Sequence, residues 1–103
     1  MPIYSPPLRD MQFVLHEMLH VDQELKNLPP HADTDADTIN AVLEEGGKFA
    51  AEVVFPLNIC GDTEGCVLDK TTHEVTPPKG FKEAYEQYVQ GGWPSLSCDV
   101  AYG

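Results

Sequence analysis

The stretch between Asp35 and Asp62 constrains the fold most, because its apolar residues recur at steps of three and four. This spacing places them on one side of an α-helix, while charged residues occupy the other side. We predict a central amphipathic helix over about residues 37–56, with Asp35 or Asp37 as its N-cap and Pro56 ending or kinking it. The positions on the apolar side are Ile39, Val42, Leu43, Gly46, Ala50, Val53 and Val54.

Gly46 lies on the apolar side of this helix, where glycine is unfavourable for helix formation. Gly46 costs about 1 kcal/mol of helix propensity relative to alanine, so we expect another helix to cross closely there. After Pro56 the sequence is rich in residues that favour turns, and we expect them to lead the chain away from the helix. These turn residues are Asn58, Gly61, Asp62 and Gly65.

A first amphipathic helix is predicted over about residues 8–27, upstream of the central one. Pro7 suits the first turn of this helix, where its missing N–H does no harm. Pro29 and Pro30 stop it. Its apolar positions are Met11, Val14, Leu15, Met18, Leu19 and Leu25.

A third amphipathic helix is predicted over about residues 80–90, closed by Gly91 at its C-cap. The long connection before it contains a short turn near Lys70 and Thr71, and we expect no strand long enough to build a sheet. The predicted fold class is therefore all-α: a partial helical domain of three main helices with long irregular connections. Trp93, which follows the third helix, is expected to be a packing anchor.

Charge and size narrow the classes of function. The chain has 103 residues, the size of one domain, with 6 basic and 17 acidic residues and a formal net charge of -11. Nucleic-acid backbones and anionic membrane surfaces both require a basic face, so neither is an expected partner. Three cysteines without metal-type spacing, no leader sequence and no long apolar run predict a cytoplasmic protein with reduced thiols.

The string His16-Glu17-Met18-Leu19-His20 matches the form H-E-x-x-H, in which two histidines on one helix face bind zinc and the glutamate acts as base. A catalytic zinc needs a third protein ligand; Glu44 or Glu45 could be proposed, but nothing else in the sequence suggests a protease cleft. Gln23 also stands where the longer form of the motif has glycine. We predict no metal site, and zinc at His16 and His20 stays open as the alternative.

Asp33, Asp35 and Asp37, with Glu44 further on, have the spacing of ligands in an EF-hand calcium loop. The position that needs glycine for a sharp turn is Thr38, and the residues from Ile39 already read as helix. We interpret these carboxylates as an acidic approach to a helix N-terminus, with calcium as the alternative. G-x-S-x-G, P-loop and G-x-G-x-x-G motifs do not occur in the sequence.

Several landmarks occur in an order that resembles the N-terminal helical region of acyl-CoA dehydrogenases. They are FVLHEML after a proline-rich start, LEEGGKFAAEVVFPLN, a GD-x-x-G turn, PPKGFKEAY, and GGWPSL leading to AYG. The resemblance covers nearly the whole chain and is greatest to the long bacterial branch with an N-terminal extension. It implies that residues 1–30 are this extension with the first helix, and that residues 31–103 are an N-terminal helical domain, incomplete at its C-terminal end.

The family resemblance implies an enzyme that oxidises an acyl-CoA to the 2,3-enoyl-CoA, with a carboxylate base for the α-proton and FAD as hydride acceptor. In that family the flavin-binding segments and the catalytic glutamate lie in later domains. We therefore expect no catalytic, cofactor-binding or metal-binding residue in this chain, and no FAD bound to it alone. Tyr102 and Gly103 are the candidates for a border of the substrate pocket, because the family's pocket-bordering loop begins there.

The expected function is that of a fragment, inactive alone, of an FAD-dependent acyl-CoA dehydrogenase. Its partners would be the remaining domains of the parent enzyme, which binds acyl-CoA. Apolar surface left bare by their absence would favour homo-oligomers. The alternative function, from another class, is a free-standing acidic helical module that binds a protein partner and has no enzymatic activity.

Overall fold

A computed structural model describes residues 3–102, which divide after Ala51 into two compact units, residues 3–51 and 52–102. Most of the described residues are helical, and the strands among them form one short hairpin. The predicted helical fold class is therefore confirmed. The number and bounds of the helices differ from the prediction in both units.

The first predicted helix is divided into short pieces. It begins as α1, Leu8–Gln12, continues as a π-helix over Phe13–Met18, and resumes as α2, Val21–Leu25. His20 lies between the last two with a φ of 48°. A left-handed residue cannot continue a right-handed helix, so the prediction of one uninterrupted helix over 8–27 is wrong. A short 3₁₀ turn, Pro29–His31, follows.

The central helix, α3, spans Ala36–Phe49 and continues as a π-helix over Ala50–Val54. Asp35 is its N-cap, which decides between the two predicted caps. The close approach expected at Gly46 occurs at the next residue, Gly47, which is buried. A methyl group added at Gly47 would lie 3.0 Å from Pro6 Cγ and 3.4 Å from Leu8 Cδ2. The N-terminal segment thus lies against α3 where a larger side chain would collide.

In the second unit, the turn expected after Pro56 is instead a helix, α4, which spans Leu57–Glu64. Pro56 occupies the N-cap position with a φ of -60°. Proline breaks a helix interior because it lacks an N–H, yet the start of a helix does not need that N–H. Pro56 therefore separates two helical segments. The chain turns only at Gly65, which has a φ of 62°.

A two-stranded antiparallel hairpin follows α4. Strand β1, Val67–Leu68, pairs with β2, Val75–Thr76. Its turn is held by Asp69, whose Oδ1 accepts hydrogen bonds from the backbone N–H groups of Thr71 at 2.8 Å and Thr72 at 3.2 Å. These bonds lower the pKa of the Asp69 carboxyl. The short predicted turn is confirmed, and across residues 3–102 the strands extend to no larger sheet.

The third predicted helix is confirmed as α5, which spans Phe81–Gln90 with Gly91 as its C-cap. Gly80 precedes it with a φ of 91°, a conformation that only glycine adopts without strain. A 3₁₀ turn, Trp93–Ser95, follows it. Periodicity predicted the bounds of this helix correctly because a glycine stands at each end, Gly80 before it and Gly91 after it.

None of the large hydrophobic side chains in the part of the chain that the structure describes is fully buried. Many large ones are well exposed, including Met18, Val67, Tyr85 and Leu96. A stable domain removes most of its large apolar side chains from water, because this burial is the main force that offsets the loss of chain entropy. The described residues therefore have the character of a partial domain.

Candidate functional site

The C-terminal loop carries the two residues predicted to border a substrate pocket. Asp99 organises it: its Oδ1 accepts from the Ala101 N–H at 2.9 Å, and its carbonyl oxygen accepts from the Tyr102 N–H at 2.9 Å. These bonds fix the backbone of a tight turn, and Tyr102 is 89% exposed. Gly103 lies outside the described residues. The role of Tyr102 and Gly103 at a pocket stays a prediction.

The two histidines of the H-E-x-x-H string do not share one regular helix. His16 belongs to the π-helix and donates through Nε2 to Asn40 Oδ1 of α3 at 2.7 Å, while its Nδ1 is buried without a hydrogen-bond partner. His20 is left-handed, beyond the end of that π-helix. The shared helical face on which the zinc alternative depended is therefore absent. His16 instead links the first helical segment to α3.

Glu17, the base in the zinc alternative, faces Arg9, with 3.5 Å between Oε1 and the guanidinium Nη2. Both side chains are largely exposed, so this ion pair contributes little to stability. Among residues 3–102, no three histidine, cysteine or acidic side chains converge in a way that could hold a metal ion.

The acidic approach to α3 has a structural role. Asp35 Oδ1 accepts from the Thr38 N–H at 2.8 Å, and this hydrogen bond lowers the pKa of the Asp35 carboxyl. α3 begins at Ala36. The segment that a calcium loop would need in an unwound conformation is thus helical from its fourth position, which supports the helix-cap interpretation of Asp33, Asp35 and Asp37.

Four contacts join α4 to the start of α5, and sequence reasoning missed all of them. A methyl group at Gly61 would lie 2.5 Å from Phe81 Cζ, and one at Gly80 would lie 2.7 Å from Leu57 Cδ2. The other two are polar and converge on Lys79. Its backbone N–H donates to Glu64 Oε2 at 3.0 Å, and its carbonyl oxygen lies 3.7 Å from Cys60 Sγ, whose single proton has a nearer acceptor in the Leu57 carbonyl oxygen at 3.2 Å. The two glycines were the available signal, because glycine permits close approach.

Trp93 was predicted to be a packing anchor, and the structure shows it half-buried. Its indole packs on Gly91, where an added methyl group would lie 2.9 Å from Nε1. Ser95, one of the two serines nearby, donates its hydroxyl to the Gly92 carbonyl oxygen at 3.1 Å. These contacts stabilise the turn that follows the C-terminal end of α5.

Among residues 3–102, every helix is too short or too polar to cross a lipid bilayer. No protein-family model matches the chain.

Two curated proteins match the chain over 100 residues, which is 97% of its length. One is a 3-methylmercaptopropionyl-CoA dehydrogenase of Ruegeria pomeroyi, which is 37% identical. The other is the broad-specificity linear acyl-CoA dehydrogenase FadE5 of Mycobacterium tuberculosis, which is 33% identical. The chain spans only 16% of the length of each relative. The chain therefore belongs to the acyl-CoA dehydrogenase family and corresponds to one part of such an enzyme.

Proposed function

We propose that the chain forms part of the N-terminal helical domain of an FAD-dependent acyl-CoA dehydrogenase, which oxidises an acyl-CoA to the 2,3-enoyl-CoA. One observation carries the proposal: nearly the whole chain matches two enzymes that are both named acyl-CoA dehydrogenases. In this proposal residues 1–30 are an N-terminal extension, residues 31–103 begin the domain, and the enzyme is cytoplasmic.

The exposure of apolar side chains supports a role as one part of a larger body. None of the large hydrophobic side chains among the described residues is fully buried, whereas a free-standing module would need a core. The alternative of an independent interaction module gains no support from the relatives, which are enzymes. The remaining domains of the parent are therefore the proposed partners, and a homo-oligomer of the parent is part of the same proposal.

The described residues do not fit a flavin site. A flavin dinucleotide carries a pyrophosphate, which proteins hold with basic side chains or with the N–H groups of a glycine-rich helix start. Acidic residues outnumber basic ones by 17 to 6 in this chain, and two of the basic ones, Arg9 and Lys48, lie beside Glu17 and Glu45. We propose that the flavin contacts and the catalytic carboxylate lie in other parts of the parent, so no step of the reaction is assigned to this chain.

The substrate class proposed for the parent is an acyl-CoA thioester. The two relatives are named for different acyl groups, one sulfur-containing and one linear, so their names agree on the thioester alone. Tyr102 and Gly103 are the proposed contribution of this chain to the border of the pocket. The exposed side chain of Tyr102, on a turn fixed by Asp99, is compatible with a contact to a neighbouring domain or ligand.

Expression of the complete coding sequence tests the proposal. The reading frame should continue well beyond Gly103, and the purified product should carry a flavin and oxidise an acyl-CoA. The 103-residue chain alone should be colourless and inactive. A stop codon directly after Gly103, or flavin bound to the 103-residue chain alone, would overturn the proposal.

A further inference from the structure

One face of α5 carries an apolar stripe that its own unit leaves largely uncovered. Phe81, Tyr85, Tyr88 and Val89 are spaced by four, three and one residues, which places them on one side of the helix. Each of these side chains is more than a third exposed. The opposite side is polar throughout and comprises Lys82, Glu83, Glu86, Gln87 and Gln90.

The first turn of α5 is anchored, and Tyr85 and Val89 beyond it are more exposed than Phe81, which is 38% exposed. The Phe81 ring lies over Gly61 of α4, which sets the rotation of α5 about its axis. Tyr85 and Val89, one and two turns further along, are 65% and 47% exposed. The rings of Tyr85 and Tyr88 lie 6.4 Å apart at 34°, so they form a continuous aromatic surface. Contiguous exposed apolar surface is typical of interaction sites.

We propose that this stripe docks on an apolar surface of the same polypeptide, outside the 103 residues. The inference rests on the proposed function and specifies one of its interfaces. The matched relatives are about six times longer than the chain, since the chain spans 16% of them, so ample polypeptide is present to cover the stripe. The rest of the unit does not bury these side chains, so the cover has to come from elsewhere.

A second copy of the chain is a poorer occupant for two reasons. Each copy carries a formal charge of -11, and like charges oppose association. A segment of the same polypeptide is also held near the stripe at an effective concentration on the order of millimolar, which a separate molecule does not reach at ordinary protein concentrations.

Thiol labelling tests this interface directly. Tyr85→Cys places a thiol on the stripe, and Glu86→Cys, the matched control, places one on the polar side of the same helix. Mass spectrometry of the peptides separates these thiols from the native Cys60, Cys66 and Cys98. In the full-length product, the thiol at position 85 should react at least about tenfold more slowly than in the 103-residue chain kept at low salt and at a concentration where light scattering shows a monomer, which corresponds to about 1.4 kcal/mol of protection. The thiol at position 86 should react equally fast in both.

The possible results separate this inference from the function it rests on. If the full-length protein is an active flavoenzyme and position 85 reacts as fast as in the 103-residue chain, the docking inference is wrong and the function stands. Protection of position 85 that depends on protein concentration would identify a second copy as the occupant and would also overturn the inference. A full-length product without flavin or activity would overturn the proposed function, whatever the labelling shows. A gene that ends at residue 103 would overturn both.

Discussion

The ring of Phe81 lies over Gly61 so closely that a methyl group at the glycine would be 2.5 Å from Phe81 Cζ. This contact joins α4 to α5. Beside it, the Glu64 carboxylate binds the Lys79 N–H, and Leu57 lies against Gly80. Together these contacts, at Gly61 and at Gly80, fix the orientation of α5 relative to α4.

Gly61→Ala should destabilise the second unit. Overpacking costs about 1–3 kcal/mol, and the gain of about 1 kcal/mol in helix propensity offsets only part of it. We expect a net loss on the order of 1 kcal/mol in the free energy of unfolding. Urea unfolding followed by far-UV circular dichroism measures this loss.

The double variant Gly61→Ala with Phe81→Leu supplies the control for this contact. A leucine is shorter than the phenylalanine ring and should remove the collision, so the double variant should lose less stability than the sum of the two single variants. Additive losses would show that the ring and the glycine are not coupled.

Acid should weaken the start of α3 through Asp35. Because the hydrogen bond from Thr38 holds the pKa of Asp35 below its ordinary value of 3.8, the folded state favours the ionised carboxylate. The stabilisation is therefore fully present above pH 3.8 and is lost as the pH falls through the folded-state pKa. Far-UV circular dichroism between neutral pH and strong acid should show a partial loss of helicity in this range.

Asp35→Asn isolates the contribution of this carboxylate. Asparagine also caps helices but does not ionise, so the variant should lose less helicity on acidification than the wild type. An identical acid response in the wild type and Asp35→Asn would contradict the role of the cap.

Removal of the His16–Asn40 hydrogen bond should loosen the first unit. The bond between His16 Nε2 and Asn40 Oδ1 is 2.7 Å long and partly buried. His16→Ala should lower the free energy of unfolding by about 1 kcal/mol, the net worth of such a bond, with a further loss from packing. A double-mutant cycle with Asn40→Ala measures the coupling, and a coupling energy of zero would show that the bond contributes nothing.

The 103-residue chain should self-associate when it is isolated. Its apolar side chains are exposed, and light scattering should detect a dimer or higher oligomer at high protein concentration. Added salt should strengthen the association because it screens the repulsion between copies of charge -11. A monomer at every concentration and salt level would argue against a partial domain.

The sequence predicted α5 well and the first helical segment poorly, for a physical reason. At α5 the apolar period, Gly80 before the helix and Gly91 after it all indicate the same bounds. Around His20 the period continues without a glycine or proline, yet the backbone is left-handed. A histidine in that conformation is strained, and sequence periodicity carries no sign of such strain.

The contacts between α4 and α5 were less predictable than the helices themselves, because these contacts join residues far apart in the sequence. Periodicity placed Gly61 and Phe81 in different segments but could not show that one packs on the other. Pro56 was predicted to end or kink the central helix, and the turn residues after it concealed that it also precedes α4. Tyr102 was selected through family resemblance alone, and its exposed position adds no chemistry of its own.

The lack of a fully buried large hydrophobic side chain among residues 3–102 also affects the survival of this stretch in a cell. Proteases cleave segments that open transiently, and opening is easy where folding removes little apolar surface from water. A free copy would therefore be captured by chaperones and degraded soon after synthesis. Its steady presence in a cell extract would indicate that it is already attached to, or assembled with, a larger body.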